Sequence, residues 1–115
     1  QVNNSLGFPG IFRGTLDVKA KTISDTMCLA AVLEIAKTAE DNGLREDYIV
    51  PTMDEWEVFP REAAAVGTAA VKEGLAREKK SRKELYDMAS AIIKRARSQT
   101  KYLMKGGYIR PPPKV

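Results

Sequence analysis

The sequence predicts a mainly α chain of about four helices, and three observations lead there. Apolar residues Leu85, Met88, Ala89, Ile92, Ala96 and Leu103 recur at helical spacing. Serines suited to capping stand before two apolar runs, at Ser24 and Ser81. The one segment that reads as extended, Tyr48-Ile49-Val50-Pro51, is short, and Val50 is biased away from helix by the proline after it.

In chain order, residues 1–7 are polar and small and read as a loop. Pro9 suits the first turn of a helix, where its missing N–H costs nothing. A short helix over residues 9–18 follows, with Ile11, Phe12, Leu16 and Val18 as apolar contacts. Gly10 and Gly14 lie four apart on one face of it. Each weakens a helix by up to about 1 kcal/mol relative to Ala, so their use is the close approach of another backbone.

Ser24 and Asp25 open the second helix, which runs to about Asp41 and stops at Asn42-Gly43. Its first half, residues 27–33, has almost no polar face, which predicts a core helix of something larger, covered on several sides. Its second half opens to solvent through Glu34, Lys37, Thr38, Glu40 and Asp41. Residues 44–59 connect, with a short strand at most, a turn at residues 54–56, and Trp56 and Phe59 as packing anchors. Pro60 opens a third helix over about residues 61–76, rich in Ala and Gly. The fourth begins at the capping box Ser81-Arg82-Lys83-Glu84 and ends at Gly106-Gly107. Its stripe requires a facing surface, either residues 27–33 or an adjoining subunit. Residues 108–115, with three consecutive prolines, read as an extended tail.

At 115 residues, 43% hydrophobic and 30% charged, the chain fits one small domain or part of a larger one. Cys28 is the only cysteine and there is no histidine, which leaves no disulfide within the chain and no Cys/His zinc site. Cys28 reads as a small buried side chain in a reducing compartment, the cytoplasm. No apolar run approaches the roughly 20 residues that span a bilayer. Without an initiating Met or a signal-like start, Gln1 reads as the start of a fragment or a trimmed chain.

The net charge of +4 hides an asymmetry. Residues 1–76 hold 7 Lys/Arg and 12 Asp/Glu, whereas residues 77–115 hold 12 and 3. The split predicts two parts with different surroundings. A basic helix invites phosphate binding, but these charges are interspersed with an apolar stripe and stacking aromatics are sparse. A docked helix with a solvated face is favoured over nucleic-acid binding.

The chemical candidates are Asn3 and Asn4. An amide both donates and accepts hydrogen bonds, which suits a hydroxy acid without adding charge; taken alone, Asn-Asn beside Ser5 and Gly7 is simply a turn. Arg13 has two readings, a contact to an anionic ligand or an ion pair with Asp17, and the pair is favoured.

Residues 1–20 decide between these. Asn3-Asn4, then Phe8-Pro9-Gly10-Ile11-Phe12-Arg13-Gly14, then Asp17-Val18-Lys19-Ala20 closely resemble a stretch of the malic enzymes. The match is far more specific than a short phosphate-loop motif. Val2, where the animal-type enzymes carry Gly, points to the compact bacterial and archaeal type. The resemblance weakens after about Phe59.

The resemblance implies an oxidoreductase that converts malate to pyruvate and CO2 with NAD or NADP and Mg2+ or Mn2+. It implies that Asn3, with Asn4 beside it, contacts malate near the nicotinamide. The family's proton-transfer lysine and tyrosine, its metal-binding carboxylates and its glycine-rich dinucleotide loop all lie upstream of the Asn-Asn motif. This chain therefore reads as a C-terminal piece, inactive alone, with no general base, metal ligand or cofactor-binding residue assigned in it. Residues 1–76 would end the NAD(P)-binding domain, a doubly wound Rossmann-like α/β fold. Residues 77–115 would be a basic helical extension with a Pro-rich tail. The partners implied are malate and pyruvate, the remaining domains of the parent and a homo-oligomeric copy, with no membrane. The rival is a non-enzymatic helical module that binds a protein partner or nucleic acid.

Overall fold

The computed structural model describes residues 4–113. A 3-10 turn, Asn4–Leu6, runs straight into α1 (Gly7–Asp17), followed by α2 (Asp25–Asp41), α3 (Val58–Lys72) and α4 (Arg82–Lys105). No helix among the described residues is long and apolar enough to cross a membrane.

The architecture is organised around α3, which packs against α1, α2 and α4. Its residues Val58, Pro60, Glu62, Ala63, Ala64, Ala65, Val66, Gly67, Ala69 and Ala70 are buried. Small side chains let three helices reach one axis closely. Among the described residues α3 is the helix buried on all sides, while α2, expected as a core helix of something larger, is covered on one side. On α2, Met27 and Ala31 are buried, while Leu29, Val32 and Leu33 are exposed.

Gly10 and Gly14 serve as expected. A Cβ on Gly14 would meet the Ala63 carbonyl and lie 2.8 Å from Val66 Cβ and 3.0 Å from the Gly67 nitrogen. This close crossing turns the glycine face of α1 inward. It therefore turns Phe12 and Leu16 outward, 50% and 63% exposed, contrary to their expected packing role. Phe8 and Phe12 stack on that outer face with centroids 5.6 Å apart. Ile11 packs at the edge of the core and Val18 is buried within it.

Caps and stops fall where the residues indicate. The Ser24 hydroxyl accepts from the Met27 amide at 3.2 Å, and Ser81 and Glu84 form a reciprocal capping box. Asn42 ends α2, and Gly43 adopts a left-handed φ of 91°. At the far end of the chain, Gly106 caps α4 and Gly107 is left-handed with φ 75°.

In the connection, Arg45 and Tyr48 exchange backbone hydrogen bonds at 3.1 and 3.0 Å, an isolated bridge where a short strand is the most expected. A backbone bond from the Trp56 amide to the Asp54 carbonyl closes the expected turn. Trp56 is half-buried, with the Lys94 ammonium 5.6 Å from its ring centroid. Val58 and Pro60 take the fully buried positions instead. The Arg77 and Glu78 amides both donate to the Val18 carbonyl at 3.0 Å, tying the approach to α4 onto the end of α1.

The stripe of α4 is covered only near its start. Leu85, Ala89 and Ser90 are buried, and the facing surface is α3 rather than residues 27–33. Met88, Ile92 and Leu103 remain exposed. Beyond Ser90 the helix is mostly exposed, with Ile93 half-buried.

Candidate functional site

Asn4 lies in the 3-10 turn, exposed, with the buried Leu6 anchoring the turn two residues on. Residues 1–7 are thus not all loop: the polar start continues into helix because Leu6 and the inward glycine face fix its approach to α3. Asn4 sits on the rim of a groove of about 770 Å3 between the start of α1 and the outer side of α2. Leu6, Phe8, Ile11, Val32 and Ile35 form most of its apolar wall. Asn3 lies outside the described residues.

Cys28 also lines this groove and is half-buried rather than enclosed in a core. The helical turn carrying Val32 leaves the groove side of α2 open, which accounts for the difference.

Arg13 is committed elsewhere. Its Nη2 lies 2.5 Å from Asp17 Oδ1, and the Asp17 carboxylate is buried. The i,i+4 pair is the favoured reading of Arg13, and the structure bears it out. The guanidinium braces the end of α1.

Two polar residues take roles that the sequence did not reveal. Glu34, expected in solvent, is buried at the junction of α2, α3 and α4. Arg61 Nε donates to its Oε1 at 2.9 Å, and Arg82 Nη2 donates to its Oε2 at 2.7 Å. Arg61 also reaches Asp41 Oδ2 at 2.7 Å, and this bond holds the Asp41 carboxyl below the usual carboxylate range. The signal was present in the spacing, because Glu34 shares a helix face with Met27, Ala31 and Thr38. Thr38 is buried for the same reason and bonds back to the Glu34 carbonyl at 2.8 Å.

Glu62 is the other. It is 0% exposed on α3, and neither carboxylate oxygen has a hydrogen-bond partner among the described residues. Burial pushes its carboxyl up to about 8. It faces the start of α1, where a Cβ on Gly10 would lie 2.5 Å from Glu62 Cγ. Its position four residues after Val58 and four before Val66 marks the buried face of α3.

The described residues contain no group of three His, Cys, Asp or Glu side chains that could hold a metal ion. They also contain no strand leading into a glycine-rich turn to cradle a dinucleotide pyrophosphate. The arrangement offers an amide at the mouth of an apolar groove, carried on a rigid helix start.

Comparison with known proteins bears on what such a surface belongs to. A family model described as malic enzyme, NAD binding domain, matches residues 1–73. The bifunctional malic/malolactic enzyme of Bacillus subtilis (strain 168) is 48% identical over 77 residues, covering 67% of this chain and 19% of that protein. The NAD-dependent malic enzyme of Geobacillus stearothermophilus is 45% identical over 78 residues, covering 68% of this chain and 16% of that one. The crystal structure of Entamoeba histolytica malic enzyme superposes with a TM-score of 0.95 at 44% identity, covering 98% of this chain and 24% of its own. The chain thus spans less than a quarter of the length of each of these relatives.

Proposed function

Since the chain belongs to the malic enzyme family, through its NAD-binding domain, we propose that it is part of an enzyme that oxidises and decarboxylates malate to pyruvate and CO2. In this reading residues 1–76 end the NAD(P)-binding domain and residues 77–115 form its basic helical extension. When bound, NAD or NADP would supply the two-electron acceptor, and Mg2+ or Mn2+, held by residues outside this chain, would supply a Lewis acid.

Asn3 and Asn4 bind malate. The amide NH2 of an asparagine donates to a malate carboxylate, and its carbonyl accepts from the malate hydroxyl. Being neutral, the pair orients the substrate without competing for the metal. The observation that carries this reading is the placement of Asn4, an exposed amide on the rim of the groove at the start of α1. A rigid element holds a substrate-binding group more closely than a free loop does.

The exposed apolar faces of α1 and α2 meet at the same groove. Phe8 and Val32 in water at the groove, with Phe12, Leu29 and Leu33 exposed elsewhere on the two helices, favour coverage by the remaining domains of the parent. The distal half of α4, with Ile92 and Leu103 exposed, favours a neighbouring copy in a homo-oligomer. The free thiol of Cys28 fits a cytoplasmic enzyme. The alternative of a helical interaction module gains no support from the relatives.

The test is product analysis. The complete enzyme, given malate, NAD or NADP, and Mg2+ or Mn2+, should form pyruvate and reduced cofactor in equal amounts. The 115-residue chain alone should form neither. Malate-dependent cofactor reduction by the isolated chain would contradict the reading.

A further inference from the structure

Glu62 is a carboxylic acid sealed inside the joint between α3 and α1. It is 0% exposed, and both oxygens lack a hydrogen-bond partner among the described residues. Its side chain fills the space that a side chain at Gly10 would need, and Oε1 lies 3.8 Å from where a Gly7 Cβ would stand. Gly7 is the first residue of α1 and follows directly on the turn that carries Asn4. Movement of this joint therefore carries Asn4 with it.

The surrounding charges do not reach it. On α1, Arg13 and Asp17 are bound to each other. On α3, Arg61 is turned to Glu34 and Asp41 of α2, and Arg82 of α4 is also on Glu34. Lys37 of α2 lies against Asp41. In the connecting segment, the Tyr48 hydroxyl and the Thr52 amide bond to Glu55. A buried carboxylate with no compensating charge or donor is strongly disfavoured, so the neutral acid belongs to the packed joint.

We propose that Glu62 is a positioning residue for the malate-binding amide before α1: its neutral acid lets α1 seat on α3 with Asn4 in place, and its ionisation forces the joint open. The proposal rests on the reading of Asn3 and Asn4 as malate-binding. The direction of the effect follows from burial. The folded carboxyl titrates near 8, above its ordinary 4.5. The seated form is therefore favoured at low pH, is weakened as pH rises from about 4.5, and is lost above about 8.

The experiment uses the complete enzyme, wild type and Glu62→Gln, with kcat/KM for malate measured from pH 6 to about 9.5. Amide hydrogen exchange across residues 6–10 is followed without malate over the same range. Gln matches Glu in shape and cannot ionise, and other pH-dependent groups are common to both proteins. The two should coincide at low pH. Wild type should then fall relative to the variant, by at most about tenfold per pH unit up to about pH 8 and levelling off above it, with loss of α1 protection in wild type alone. A purely structural role would instead displace the variant equally at every pH. A flat ratio of the two profiles overturns the proposal, as does α1 protection in wild type, corrected for the intrinsic base-catalysed exchange rate, that is indifferent to pH, a measurement that needs no variant. If α1 opens with pH but the kcat/KM ratio stays flat, the joint does not govern Asn4 and the proposal is wrong. Failure of the malate-binding reading shows separately, as Asn3→Ala and Asn4→Ala enzymes that both keep wild-type malate kinetics.

Discussion

Gly14 and Gly67 face each other where α1 crosses α3. A Cβ on Gly14 would lie 3.0 Å from the Gly67 nitrogen, and one on Gly67 would lie 3.4 Å from the Gly14 carbonyl oxygen. Two helices meet here backbone to backbone, and Leu85 of α4 closes over the spot, 2.8 Å from the Gly67 Cβ position.

Gly14→Ala therefore destabilises the fold, although alanine is the better helix former by about 1 kcal/mol. The new methyl meets the Ala63 carbonyl and the Gly67 nitrogen, which are backbone and cannot step aside. Overpacking of this kind costs about 1–3 kcal/mol net. Gly67→Ala meets the movable end of Leu85 and should cost less. Urea unfolding of the complete enzyme or its isolated cofactor domain measures both. Equal effects would contradict the crossing geometry.

The junction of α2, α3 and α4 makes a second prediction. Glu34→Ala leaves Arg61 and Arg82 facing one another without the carboxylate that binds both. The arginines are partly exposed, so water recovers part of the loss. The expected cost is about 1–3 kcal/mol, read from the urea midpoint. Lys83→Ala, which breaks the exposed pair with Asp87, should change stability by less than about 1 kcal/mol. A harmless Glu34→Ala would mean that the three helices are not joined there.

Along α4 the buried and uncovered parts of one stripe should respond differently. Leu85 is 0% exposed and Ile92 is 44% exposed. Leu85→Ala should lower stability by about 2–5 kcal/mol wherever it is measured. Ile92→Asp should be nearly silent in the stability of a monomer and disruptive where a neighbouring subunit covers that face. Unfolding midpoints set beside light-scattering masses separate the two effects. Equal destabilisation of a monomer by both changes would show that the stripe is covered along its whole length.

What could be read in the residues was what is local. The Ser24 cap, the Ser81–Glu84 box, the Asn42-Gly43 stop and the Arg13–Asp17 pair all lie within four residues of their partners, and each is in the structure. The centre of the fold was not legible, because α3 is buried through alanines and glycines that carry little apolar signal of their own. The outward turn of Phe12 and Leu16 was hidden likewise. Their hydrophobicity suggests a core face, yet the glycines opposite them allow the closer contact. Glu34 and Glu62 were misread or passed over because charge suggests solvent, whereas their helical register with buried neighbours places them inside. Of the site itself, Asn3 and Asn4 stood out only through their setting in the longer motif of residues 1–20.

The central claim is that the asparagine pair holds malate, and steady-state kinetics of the complete enzyme tests it most directly. Asn3→Ala and Asn4→Ala are each compared with wild type for malate and for NAD or NADP, with melting temperature as the control for folding. Loss of a hydrogen bond to a charged substrate group costs about 1.5–3 kcal/mol, which is roughly a 10- to 150-fold fall in kcat/KM for malate. The account predicts that fall with Asn3→Ala, and a smaller one with Asn4→Ala, at unchanged melting temperature. Malate kinetics unchanged in both variants would contradict it.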